Sequence, residues 1–139
     1  MDILRDAGVA LTALETREMY RLQREWQRIY ASELHRQTGK WVFQGCEWHV
    51  FSFGFAKCVA GVPAIEEYRK ITDRGYYVFV RDRSEVAYMC TEGMLVDFGD
   101  ALIDIYVSAL DLAWTMYFTH DGTMFGPYFS LAEWQHVHG

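Results

Sequence analysis

Cys46 and His49 stand at C-x-x-H spacing, half of a zinc-binding pattern. A structural zinc site closes with four ligands, and no second pair follows at ligand spacing. His136 and His138 lie at the C-terminal end, where fraying is expected, so no metal ligand and no cofactor are predicted. A thiol nucleophile needs a histidine close in space rather than in sequence. Cys46 or Cys58 with His49 or His120 are the pairs that qualify. His120-Asp121 reads as a turn with a local side-chain bond rather than as an acid–base pair. Asp97, Asp100 and Asp104 are spaced like oxygen ligands, but the calcium-loop order of acids, glycine and terminal Glu is missing. The chain has no glycine-rich phosphate loop, no nucleophile elbow and no H-E-x-x-H helix. No catalytic residue is assigned.

Charge is more informative than motif. The chain of 139 residues has a formal net charge of −6, unevenly placed. All 13 Lys and Arg lie at or before Arg83. From Ser84 onward the acids are Glu85, Glu92, Asp97, Asp100, Asp104, Asp111, Asp121 and Glu133, with no base among them. This half repels phosphate, so nucleic acid is not its expected partner. Arg17, Arg21, Arg24 and Arg28 form a row at helical spacing, which reads as a solvated face with Glu18 and Glu25 paired to Arg21 and Arg28. Three cysteines without dense spacing argue against a disulfide framework and for a reducing compartment. The N-terminus carries acids where a secretory signal carries bases, and no apolar run approaches the ~20 residues that span a bilayer. A cytoplasmic location and no membrane association are expected.

A hydrophobic fraction of 51%, with 17% aromatic residues, calls for a packed interior. The length suits a single domain over 1–139. Thr12-Ala-Leu-Glu15 has the form of a capping box, opening a long helix over 13–37 that Gly39 stops. Met19, Leu22, Trp26, Ile29 and Tyr30 form its buried stripe. Alternation predicts a strand over 47–53, with a further short strand or lead-in over 41–43. Val62-Pro63 opens a short helix to Ile71, strands follow over 76–81 and 86–91, and 103–107 is another. The segment 92–100 is a helical turn or a loop.

Leu112, Trp114, Met116 and Phe118 alternate with Ala113, Thr115, Tyr117 and Thr119, and Asp121-Gly122 supplies a two-residue type I′ turn. That turn sets Thr119 opposite Met124, Phe118 opposite Phe125, Tyr117 opposite Gly126, Met116 opposite Pro127 and Trp114 opposite Phe129. Pro127 cannot donate to a ladder, so its strand should be an edge or bulged. Tyr117 and Tyr128 fall on the face expected to be half wet. Ser130-Leu-Ala-Glu133 has the form of a second capping box before a short terminal helix.

Trp48-His-Val-Phe-Ser, Tyr77-Val-Phe, Asp104-Ile-Tyr-Val, Trp114-Thr, Phe118-Thr-His-Asp and Gly126-Pro-Tyr-Phe129 together resemble the bacterial domain-of-unknown-function 4275 family. The resemblance covers most of the chain from Trp41 to Phe129. It implies a small bacterial cytosolic domain and supplies no catalytic residue. In size, acidity and aromatic content the chain is similar in type to bacterial immunity proteins, an analogy of class.

The expected fold is α+β: a mostly antiparallel sheet of five or six strands with the long N-terminal helix packed on one face. The expected core is Leu22, Trp26, Ile29, Phe51, Val78, Val80, Tyr88, Ile105, Trp114, Met116, Phe118 and Phe129. The leading functional expectation is a non-catalytic module, an immunity-type inhibitor of a basic toxin or effector domain. Its charged contacts would be Asp97, Asp100, Asp104, Asp111 and Asp121, and its anchors Tyr117 and Tyr128. The alternative is a small enzyme or ligand-binding domain with a pocket of Trp48, His49, Tyr77 and His120.

Overall fold

The computed structural model describes residues 10–43, 46–81, 85–121 and 126–135. In chain order the elements are β1 (Thr12–Ala13), α1 (Thr16–Tyr30), α2 (Ser32–Thr38), α3 (His49–Ser52), β2 (Val59–Ala60), α4 (Val62–Arg69), β3 (Tyr76–Arg81), β4 (Glu85–Cys90), β5 (Asp104–Ala109), β6 (Trp114–Phe118) and β7 (Tyr128–Leu131). Short 3₁₀ turns follow at Gly99–Ala101 and Ala132–Gln135. The strands form one seven-stranded antiparallel sheet in the order β1-β4-β3-β5-β6-β7-β2. Its outermost strands are two residues each, so little unpaired backbone is presented along them. No helix among the described residues is long and apolar enough to cross a membrane.

The sheet is covered on both faces. On one, Phe79, Tyr106, Tyr117 and Tyr128 stand directly opposite one another across β3, β5, β6 and β7. Phe79 stacks on Tyr106 at 4.5 Å between ring centroids, and Tyr106 on Tyr117 at 4.8 Å. Trp26 and Tyr30 of α1 and Phe51 of α3 pack onto this row. On the other face Val78, Val80, Ile105, Val107, Trp114, Met116, Phe118 and Phe129 pack beneath Ala64 and Tyr68 of α4 and Phe98. Two tyrosine hydroxyls hold the segment 91–103 there. Tyr68 donates to the Val96 carbonyl at 2.8 Å and Tyr76 to that of Met94 at 2.7 Å.

Sheet and helices match the α+β expectation in outline and differ in detail. Among the described residues the strand count is seven rather than five or six. The N-terminal helix begins at Thr16, not residue 13, because Thr12–Ala13 pair with Met89 and Tyr88 instead. No side chain caps it, so the Thr12–Glu15 capping box does not form. It breaks at Ala31, a fully buried residue with φ −114° and ψ 12°, and resumes as α2. Gly39 stops α2 in the left-handed region at φ 74° as expected. Residues expected as a strand over 47–53 form α3, where the near-continuous apolar run had hidden the period. Phe43 bridges only to Cys46, so 41–43 is a lead-in. Ser130 and Leu131 belong to β7, and only a 3₁₀ turn follows. The expected core is buried except for Ile29 and Tyr88, which are half-buried.

The β6–β7 register is displaced by two residues. Met116 faces Phe129, Tyr117 faces Tyr128 and Trp114 faces Leu131. A shift of two preserves which side chains share a face, so the core side of the hairpin is as expected. The displacement leaves Pro127, which has no N–H, outside the ladder, and its carbonyl accepts from Gly61 at 2.9 Å. β7 is not an edge, because β2 pairs with its outer side. Asp82 to Ser84, the turn residue Gly122, the facing residues Met124 and Phe125, and His136 and His138 lie outside the described residues.

Inside the α1 layer a buried hydroxyl joins helix to sheet. Thr115 Oγ1 accepts from Trp26 Nε1 at 3.0 Å, contacts the Ser108 hydroxyl at 2.9 Å and donates to the Val107 carbonyl at 3.3 Å. Replacing Thr115 with Val keeps the shape and removes the acceptor for a fully buried indole N–H. The expected cost is about 1–3 kcal/mol, read as a lowered urea midpoint with an unchanged slope.

Candidate functional site

α3 sits over the end of the sheet where β5 begins and β6 ends. The turn before it places Cys46, Trp48 and His49, and α3 adds Ser52, with Phe53 just beyond. Opposite stand His120 and Asp121, just past the end of β6, and Tyr128 at the start of β7. Together these eight residues line a cleft of about 560 Å³. That lies within the common range for small-molecule sites.

The histidines are held by their neighbours. His49 Nδ1 lies 2.7 Å from the Phe43 carbonyl, so that nitrogen carries the hydrogen. Asp104 Oδ1 accepts from the backbone N–H of His120 at 2.7 Å and lies 2.9 Å from its Nδ1. Asp121 Oδ2 lies 3.4 Å from His120 Nε2. The hydrogen bond to Asp104, aided by the charges of Asp104 and Asp121, raises the pKa of His120. The imidazolium is thereby favoured, and the ring is half exposed. Cys46 lies in the same cleft, but burial first, and then Asp104 and Asp121, push its thiol up. A thiol raised in this way is a poor nucleophile at neutral pH.

Behind the cleft lies a buried carboxyl that the sequence reading did not single out. Glu47 is 3% exposed, with Oε1 2.7 Å from Arg81 Nη1 and Oε2 3.4 Å from the Tyr106 hydroxyl. The arginine approaches closely without a well-aligned hydrogen bond to Oε1. Desolvation outweighs the arginine, and the carboxyl is pushed up to about 7. Arg81 also pairs with Glu85 at 2.8 Å, so its charge is shared between two acids. The available signal was an acid embedded in the aromatic run Trp41–Phe55, together with Arg81 at the end of an apolar strand.

The sequence-predicted residues divide as follows. Trp48, His49 and His120 share the cleft, but Tyr77 does not line it. It lies on β3 opposite Met89 and Ser108, away from the Arg81 end. Cys58 faces a different depression with Phe51, Lys57 and Trp134, and burial pushes its thiol up to about 11. Tyr117 is 1% exposed and Tyr128 6%, so neither is a projecting anchor, because the face expected to be wet lies under α1 and α3. Asp97 and Asp100 are exposed and line a smaller hollow of about 160 Å³ with Phe118, Thr119 and Pro127, at the same end of the sheet on its α4 face. Asp111 lies beyond the opposite end of β5, a strand length of roughly 17–20 Å away, where it accepts from the Ala113 N–H at 3.0 Å. Among the described residues no group of three or more His, Cys, Asp or Glu is placed to hold a metal ion. The arginine row of α1 carries the expected pairs, Arg21 with Glu18 at 2.5 Å and Arg28 with Glu25 at 3.2 Å.

Glu47 makes stability depend on pH. A carboxyl raised in the folded protein keeps its proton after the unfolded chain has lost it. Stability therefore falls as pH rises from the ordinary carboxylate value of 4.5 to about 7, and this group adds no slope outside that window. Glu47→Gln should remove a decline on the order of 3 kcal/mol across it. Urea unfolding at stepped pH measures this, and an unchanged slope would contradict it.

No curated protein and no solved structure matches the chain. The family described as Domain of unknown function (DUF4275) matches residues 1–129. The match spans the sheet through Phe129, α1 to α4 and every residue of the cleft, so the chain belongs to the DUF4275 family.

Proposed function

We propose that this protein is a cytoplasmic, non-catalytic binding module, an immunity-type inhibitor that takes a basic toxin or effector domain at one end of its sheet. The observation that carries this reading is the placement of Asp97, Asp100, Asp104 and Asp121 around that end, beside two hollows. Arg81, the arginine opposite Asp104 in the β3–β5 register, is engaged by Glu47 and Glu85. A negative rim of this kind speeds encounter with a positive cleft and rejects phosphate. The raised Cys46 thiol supports a non-catalytic reading of the deeper hollow. Asp111 belongs to the opposite end and is not part of this surface.

The cleft's size and its Cys46–His49–His120–Asp121 lining favour a second reading, a small-ligand or enzyme site. The two readings separate by substitution. Cys46→Ser should abolish turnover of a small ligand and leave capture of a basic partner within about twofold, since such contacts lie within the near-neutral majority of an interface.

Reversing Asp97, Asp100 and Asp121 together to Lys tests the docking reading. Asp104 is spared because it bonds the His120 backbone. Affinity for a basic effector domain encoded beside this protein should fall about 10–100-fold at low salt, mostly through slower association. Titration calorimetry and stopped-flow measure this, with circular dichroism to check the fold. Unchanged affinity in a folded variant removes the reading, and a neighbouring gene without such a domain removes its immunity form.

A further inference from the structure

The cleft beside α3 suits one class of occupant. Trp48, Phe53 and Tyr128 supply aromatic walls, and Phe53 is 52% exposed at the mouth. Beside the Ser52 hydroxyl and the Cys46 thiol, two of its polar side chains offer acceptors. Asp121 offers a carboxylate. His49 commits its Nδ1 hydrogen to the Phe43 carbonyl, which makes Nε2 the ring nitrogen that can accept. His120 is the one charged donor, and both its ring nitrogens are directed at Asp104 and Asp121. No lysine or arginine lines the cleft among the described residues.

We propose that this cleft captures an arginine side chain of the protein partner, its guanidinium against the Trp48, Phe53 and Tyr128 wall and its N–H groups on Asp121 and His49 Nε2. A flat cation is the group that stacks on aromatic faces and at the same time donates in a plane to a carboxylate and an imidazole nitrogen. An anion would meet the Asp121 carboxylate directly, and a neutral aromatic group would gain nothing from that carboxylate beyond its existing contact with His120. The same negative field raises His120, chiefly through its bond to Asp104, and adds to the effect of burial on Cys46. The inference rests on the docking reading above and names the side chain that part of the surface reads.

The test is an NMR titration of isotope-labelled protein with Nα-acetyl-arginine amide and its neutral isostere Nα-acetyl-citrulline amide. The Trp48 indole and His49 ring signals report on the cleft. The arginine compound should shift both signals and bind about fivefold or more tightly than citrulline. Asp121→Asn should erase that preference. Equal binding of the two compounds, or no shift at Trp48, overturns the assignment. Partner binding separates the two levels. Loss of binding in the Asp97→Lys, Asp100→Lys double variant with Asp121→Asn unaffected overturns the arginine site and leaves the docking surface standing. Arginine-selective binding in a protein that captures no basic domain keeps the site and removes the docking reading.

Discussion

The row of rings Phe79, Tyr106, Tyr117 and Tyr128 is the constraint on which the rest of the molecule depends. These four side chains run straight across the sheet at right angles to its strands. Cross-strand aromatic pairs stabilise a sheet beyond the area they bury. Here they also make a flat platform broad enough to seat Trp26, Tyr30 and Phe51 from two helices. A platform of this kind fixes register, because sliding one strand by a single residue would send its ring to the opposite face. It also explains the register of β7: Tyr128 must stand beside Tyr117, which places Pro127 before the ladder.

Position along the row decides chemistry. Toward its Phe79–Tyr106 part lies Glu47, reached by the Tyr106 hydroxyl and by Arg81 from the end of β3. At its Tyr128 end the chain opens into the cleft, where α3 cannot cover the ends of β6 and β7. A buried acid with a raised pKa, a histidine held by two aspartates and a half-open hollow thus lie close together. Perturbed ionisable groups gather at functional sites because the same burial and charge that perturb them also serve binding. They equally arise in structural ion networks, and Glu47 with Arg81 is of that structural kind: both are turned toward the interior and toward each other.

Cysteine and histidine therefore play quieter parts than their spacing suggested. Cys46 and His49 do share a cleft, yet the thiol is held in its neutral form and the imidazole is oriented by a backbone carbonyl. Asp97, Asp100 and Asp121 face solvent in that region, whereas Asp104 is largely covered and bonds His120. Their value depends on where the bases went, and among the described residues the bases that form ion pairs do so elsewhere. Along α1 and α2 they pair with glutamates one helical turn away, and at β3 Arg81 serves Glu47 and Glu85.

Local rules settled much of this without coordinates. Helical spacing from Met19 to Tyr30, the Gly39 stop, the i,i+3 pairs of α1, the strand 76–81, most of the strand expected over 86–91 and found over 85–90, and the core side of the last hairpin all follow from side-chain period and turn chemistry. What lay beyond sequence was whatever depends on a second layer. Alternation from Trp114 to Thr119 shows that two faces exist, but not that α1 and α3 cover the one bearing Tyr117 and Tyr128. The run from Glu47 to Phe53 is apolar enough for strand or helix, and only its place over the ring platform selects α3. The charge asymmetry was legible, whereas the split that sends Asp111 to one end and Asp97, Asp100, Asp104 and Asp121 to the other was not. That split is fixed by strand direction and loop path, which bring together residues far apart in sequence and so leave no trace in any short window of it.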